Sequence, residues 1–159
     1  MKRIAIAYII ISLTVLAEQN ILQQITVFGK RIELLIGIII YFSLFYKYKT
    51  SLPLAIFAGF LKDVFSSSNF GLYTLIFTAS SAFVNSSSRK ILKDNIFIHM
   101  LYGLIMTSFM LSCLVIFHGL FLNKIPDFGS YFKESILPKS IINFFLAPVI
   151  FKVLSRIIK

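Results

Sequence analysis

A chain of 159 residues with a hydrophobic fraction of 58%, a mean hydropathy of +0.89 and 14% charged residues has too little polar surface to clothe a soluble core. Its apolar residues come in long blocks separated by short charged gaps, the pattern that a hydrocarbon solvent demands. The net charge of +10 lies in those gaps and on no amphipathic face, so it reads as membrane topology signalling and excludes a nucleic-acid surface.

The expected fold is an all-α membrane protein, a single polytopic domain over residues 1–159 with about six transmembrane helices in a compact bundle. The first apolar segment runs from Ile4 to Ala17 behind Lys2 and Arg3. A basic start and short apolar run also fit a signal peptide, but no small-x-small pair precedes Glu18, and apolar residues resume through Ile21, Leu22, Ile25, Val27 and Phe28. A retained helix that crosses and then lies along the interface is expected.

The second segment, Ile32 to Tyr46, closes on the aromatic and basic belt Tyr46-Lys47-Tyr48-Lys49, with Glu33 placed near Arg31. The third, Leu52 to Phe65, covers only about 21 Å at 1.5 Å per residue, short of a bilayer core of about 30 Å. It therefore needs extra turns or a sheltered position inside the protein. Ser66-Ser67-Ser68-Asn69 turns the chain, Asn69 is a candidate helix cap, and the fourth segment follows from Phe70 to Asn85. Thr74, Thr78, Ser80 and Ser81 give that segment small polar groups for close helix packing. The gap at residues 86–94 is strongly basic. The fifth segment, Ile96 to Leu122, is the longest. The sixth, Tyr131 to Ile158, contains Pro138 and Pro148 and is expected to be kinked or in two parts.

Six spans with an inside N-terminus place ten basic residues inside (Lys2, Arg3, Lys47, Lys49, Arg89, Lys90, Lys93, Lys152, Arg156 and Lys159). Five fall outside: Lys30, Arg31, Lys124, Lys133 and Lys139. The ratio favours both termini in the cytoplasm.

Chemistry-bearing groups are few. Cys113 is alone in an apolar run, which leaves it a packing residue. His99 and His118 stand near opposite ends of one helix, too far apart to share a metal, and read as interfacial. There is neither a nucleophile elbow nor a Gly-rich phosphate loop, so no enzyme activity and no cofactor is expected. Asp63, beside Lys62 in an apolar run, is the exception. A carboxylate at membrane depth must face protein, water or a partner, and both a pocket role and an interfacial helix end fit it. Gly59 and Gly71 stand where a helix could approach another backbone. Asn143 should bond to a neighbouring helix or to a carbonyl freed by Pro148.

The stretch from Gly59 to Leu72 (GFLKDVFSSSNFGL) resembles the signature of the MreD family of bacterial rod shape-determining membrane proteins. That family has a Gly, an Asp four residues on, a small-polar turn, and a Gly-Leu opening the next helix. The likeness continues through Ala82-Phe83-Val84, and Asn143 with Pro148 looks like the family's closing helix. Lys62 departs from a position that is usually apolar.

The resemblance implies a non-enzymatic subunit of the cell-elongation machinery in the cytoplasmic (inner) membrane. Its implied partners are an MreC-like single-span protein and, indirectly, MreB and the RodA–penicillin-binding-protein synthase, with membrane lipid around it and a homodimer open. Gly59, Asp63, Gly71, Asn143 and Pro148 are the implied packing or partner-contact residues. The family fold is similar to the S-component of energy-coupling-factor transporters, which supplies an alternative: capture of a small vitamin. That alternative wants an Ala-rich small-xxx-small face, for which this chain offers no strong case.

Overall fold

The computed structural model describes residues 2–20, 26–27, 30–31, 33–65, 71–88, 95–122 and 128–158. Six helices carry the fold: α1 (Lys2–Asn20), α2 (Leu34–Phe45), α3 (Tyr48–Phe65), α4 (Leu72–Ser88), α5 (Ile96–Leu122) and a composite α6. This last helix opens as Phe128–Tyr131, passes through a π-helical stretch at Phe132–Ile136 and continues as Leu137–Ile157.

The short helix α2 is the axis. Every residue from Leu35 to Leu44 is buried, and α1, α3, α4, α5 and α6 all pack on it. Its run Ile36, Ile38, Ile39 and Ile40 would suit a strand in water. Within a bilayer each backbone N–H and C=O must be satisfied inside its own segment, which makes the same run helical. Twelve residues span only about 18 Å. Because α2 is wrapped by protein, the bilayer thickness does not constrain it.

The surrounding helices turn apolar side chains outward at a four-residue spacing. On α5 the exposed row is Phe97, Leu101, Ile105 and Phe109. On α6 it is Leu137, Ile141, Phe145, Val149, Val153 and Ile157, and on α3 it is Ile56, Phe60 and Val64. Rows of this kind are unfavourable against water and natural against lipid. Among the described residues, three helices are long and apolar enough to cross a membrane by length and composition: Arg3–Asn20, Ile96–Phe117 and Gly129–Ile157. The chain is a helical membrane protein.

Contacts fix which ends lie together. Glu18 at the end of α1 meets the start of α2 and the end of α3, and Lys139 on α6 meets Glu33 before α2. At the other end of α2, Phe45 meets His99 near the start of α5 and Phe151 near the end of α6. The first residues of α1 and the last of α6 therefore share one end of the bundle, the terminal end. The opposite end is the capped end.

Several expectations are corrected. The third segment begins one turn earlier than expected, at Tyr48, and its 18 residues reach about 27 Å. The polar start Tyr48-Lys49-Thr50-Ser51 hides this turn from a hydropathy reading. The first helix was expected to run on along the interface; residues 21–25 lie outside the described ones, and Thr26–Val27 is a strand paired antiparallel with Lys30–Arg31, as β-branched residues favour. Glu33 pairs with Lys139 at 2.5 Å, while the side chain of Arg31, near which it was expected, lies outside the described ones. His99, near the start of α5, is buried against Phe151 at a ring-centroid distance of 4.5 Å. The α-helix of α6 continues through Pro148, and its irregularity lies at the π-helical stretch. That stretch ends just before Pro138, whose missing N–H and ring disfavour a regular turn behind it. The turn at residues 66–70, including the candidate cap Asn69, lies outside the described residues.

Candidate functional site

Helix starts leave N–H groups without intrahelical acceptors, and a helix start inside a membrane has little water to satisfy them. At the capped end, carboxylates from neighbouring helices do it. Asp63, near the end of α3, is 2% exposed. Its Oδ1 accepts the Tyr73 N–H at 2.9 Å, and its Oδ2 accepts the Thr74 N–H at 2.9 Å and the Thr74 hydroxyl at 2.6 Å. Both oxygens are engaged by the first turn of α4, whose positive dipole end favours the negative charge.

The two glycines have different reasons. A Cβ on Gly59 would overlap Thr74 Cα and lie 2.9 Å from the Tyr73 carbonyl oxygen. The absent side chain lets α3 approach the start of α4 closely enough for Asp63, one turn on, to reach it. A Cβ on Gly71 would meet nothing within 4 Å among the described residues, but its φ is +94°, a left-handed conformation that opens α4 after the turn. It was expected to mediate a close helix approach and instead supplies a backbone angle.

The same device recurs one hairpin earlier. Glu18, near the end of α1, is 5% exposed and its Oε1 accepts the Leu35 N–H of α2 at 2.7 Å. Its Oε2 pairs with Lys62 at 2.5 Å. A carboxylate near the end of its own helix opposes the local dipole. Glu18 and Asp63 stand there because each serves the start of the next helix. Lys62 balances Glu18 and lies 5.9 Å from the Tyr73 ring centroid, so the adjacent Lys62 and Asp63 tie α3 to α1, α2 and α4. The departure at Lys62 has its explanation in Glu18, a residue that the sequence alone marked only as the flank of a cleavage site.

Asn143, 4% exposed on α6, donates to the Thr107 hydroxyl of α5 at 2.9 Å. Thr107 in turn donates to the Gly103 carbonyl at 2.6 Å. A Cβ on Gly103 would lie 2.8 Å from the Asn143 carbonyl oxygen, so a glycine and an amide seat α5 on α6. Pro148 is one turn further toward the terminal end and takes no part in this contact. At that end Asn85 Nδ2 lies 3.0 Å from the Ser43 carbonyl, 2.9 Å from the Tyr46 carbonyl and 3.2 Å from the Ser51 hydroxyl. It closes the α2–α3 turn. Glu18, Asn85, Gly103, Thr107 and Lys139 were not singled out from the sequence, because each acts on a partner far along the chain.

Gly59, Asp63 and Gly71 thus form one clamp, with Asn143 and Pro148 in a separate helix pair. Among the described residues no group of His, Cys, Asp and Glu could hold a metal. The arrangement is one that fixes helices. The family model described as rod shape-determining protein MreD matches residues 1–157. The chain belongs to the MreD family. Membership places it in bacterial rod-shape determination, in a family of shape-determining structural proteins. No curated protein and no solved structure matches the chain.

Proposed function

We propose that this MreD-family protein is a non-enzymatic scaffold of the cell-elongation machinery in the bacterial cytoplasmic membrane. In this reading it binds the transmembrane helix of an MreC-like single-span partner. Through that partner it helps direct lateral peptidoglycan synthesis alongside MreB and the RodA–penicillin-binding-protein pair. The observation that carries the reading is the family's own motif, used here to clamp a hairpin and not to form a reactive site. Asp63 is spent on the fold, which leaves recognition to the surface the hairpin presents, the exposed row Ile56, Phe60 and Val64 on α3. A rigid apolar row suits packing against one further helix. The basic residues of the terminal end support both termini in the cytoplasm.

Vitamin capture, by a bundle similar to the S-component, would use an interior that a ligand can enter. Here α2 occupies the middle of the bundle, which favours the scaffold.

The test is complementation in rod-shaped cells depleted of their own MreD protein. Restored rod shape by the wild-type chain, and loss of rod shape with Phe60→Trp or Val64→Trp at unchanged membrane abundance, is the expected result. Round cells with the wild-type chain would count against the reading.

A further inference from the structure

At the terminal end, a groove of about 700 Å³ opens between the end of α2, the start of α5 and the last turns of α6. Its floor is aromatic: Phe45, His99 and Phe151 meet ring to ring at 4.5–6.1 Å. One wall is apolar, formed by Pro148, Val149 and Val153, and the rim carries Lys152 and Arg156. The two cations are four residues apart, one turn on the same helix face, with Arg156 nearer the chain end. Both are exposed.

Among the described residues the acidic side chains are confined to one end of the bundle. The acidic residues among the described ones are Glu18, Glu33, Asp63 and Glu134, all at the capped end. Among the described residues, Lys152 and Arg156 therefore have no carboxylate near them. An exposed apolar trough running from membrane depth to a pair of cations at its mouth has the shape and polarity of one amphiphile with an anionic head.

We propose that this groove binds an anionic phospholipid, its acyl chain along Pro148, Val149 and Val153 and its phosphate on Lys152 and Arg156. Arg156 offers a planar fork suited to phosphate oxygens, and Lys152 a second point charge one turn deeper. A zwitterionic lipid brings its own cation to the same rim and loses much of the attraction. The proposal does not depend on the protein partner, so each can fail alone.

Native mass spectrometry of the full chain in mild detergent, with added phosphatidylglycerol or phosphatidylcholine, tests it. Phosphatidylglycerol should be retained in preference. The K152Q/R156Q double variant should bind it roughly tenfold more weakly, from the loss of two cations at a membrane surface. Lys47 and Lys49 are exposed at the same end but outside the groove, and a K47Q/K49Q variant should bind as the wild type does. Equal retention of the two lipids, or an equal loss in both variants, would overturn the proposal. A photo-crosslinker installed at Val149 reads the occupant in native membranes. Capture of phospholipid supports the site, and capture of a protein or a second copy of the chain overturns it.

Discussion

Asp63 on α3 and Thr74 on α4 share two hydrogen bonds, at 2.9 Å from the backbone N–H and 2.6 Å from the hydroxyl. An eleven-residue separation thereby becomes a capped hairpin. Asp63→Ala leaves the Tyr73 and Thr74 N–H groups without an acceptor in a buried site. The expected loss is about 2–4 kcal/mol, combining a helix cap with hydrogen bonds to a charged group. Asp63→Asn retains one acceptor oxygen and should lose less. Thermal unfolding in detergent measures both.

The two motif glycines should respond differently to side-chain size. At position 59 the constraint is space, so Gly59→Ala should cost about 1–3 kcal/mol by overpacking, and Gly59→Val more. At position 71 the constraint is the φ of +94°, and a Cβ would meet nothing among the described residues. Gly71→Ala and Gly71→Leu should therefore cost about the same, on the order of 1–3 kcal/mol, and Gly71→Asn less, since Asn tolerates this region. A size dependence at position 71 like that at 59 would refute the distinction.

In the Glu18–Lys62 pair the carboxylate is buried and the lysine largely so, at 4% and 13% side-chain exposure. Lys62→Met should destabilise by about 3–5 kcal/mol, since it leaves Glu18 charged and unpaired. Adding Glu18→Gln should recover part of that loss, because the amide oxygen still accepts the Leu35 N–H. Exchanging the charges, E18K/K62E, should not recover it, since a lysine cannot cap α2. A double-mutant cycle by thermal unfolding separates the charge pairing from the capping.

On the other side of the bundle, Asn143→Leu removes the bond to Thr107 and should cost about 0.5–1.7 kcal/mol, the range of interhelical hydrogen bonds in membranes. Gly103→Ala should cost more, because its Cβ would meet backbone at 2.8 Å.

The helices were legible in the sequence because hydrocarbon leaves few alternatives for long apolar blocks. The motif spacing marked the α3–α4 hairpin for the same reason that it folds: Gly59 and Asp63 are one turn apart on one helix face. The partners of these residues were hidden. Local reading offered Glu33 only its neighbour Arg31, and nothing nearby in sequence points to Lys139, the cation more than one hundred residues later that pairs with it. Glu18 seemed part of a processing context, and only the packing of α1 against α2 and α3 gives its carboxylate two donors. The caps of α2 and α4 are tertiary contacts, so no local capping pattern announces them, whereas α5 is capped locally by Asn95, whose side chain accepts the Phe97 N–H at 3.0 Å. Gly71 shows the limit in another way, since composition cannot tell a glycine kept for space from one kept for angle.

The central claim is that the clamped hairpin presents a surface for another membrane protein. The measurement that tests it most directly is a mild-detergent pull-down of the tagged full chain, with mass spectrometry of the proteins and small molecules retained. The scaffold account predicts a near-equimolar MreC-like single-span protein, and less of it with Asp63→Ala at equal membrane abundance. Retention of a vitamin together with ATPase subunits, in place of the single-span protein, would contradict it.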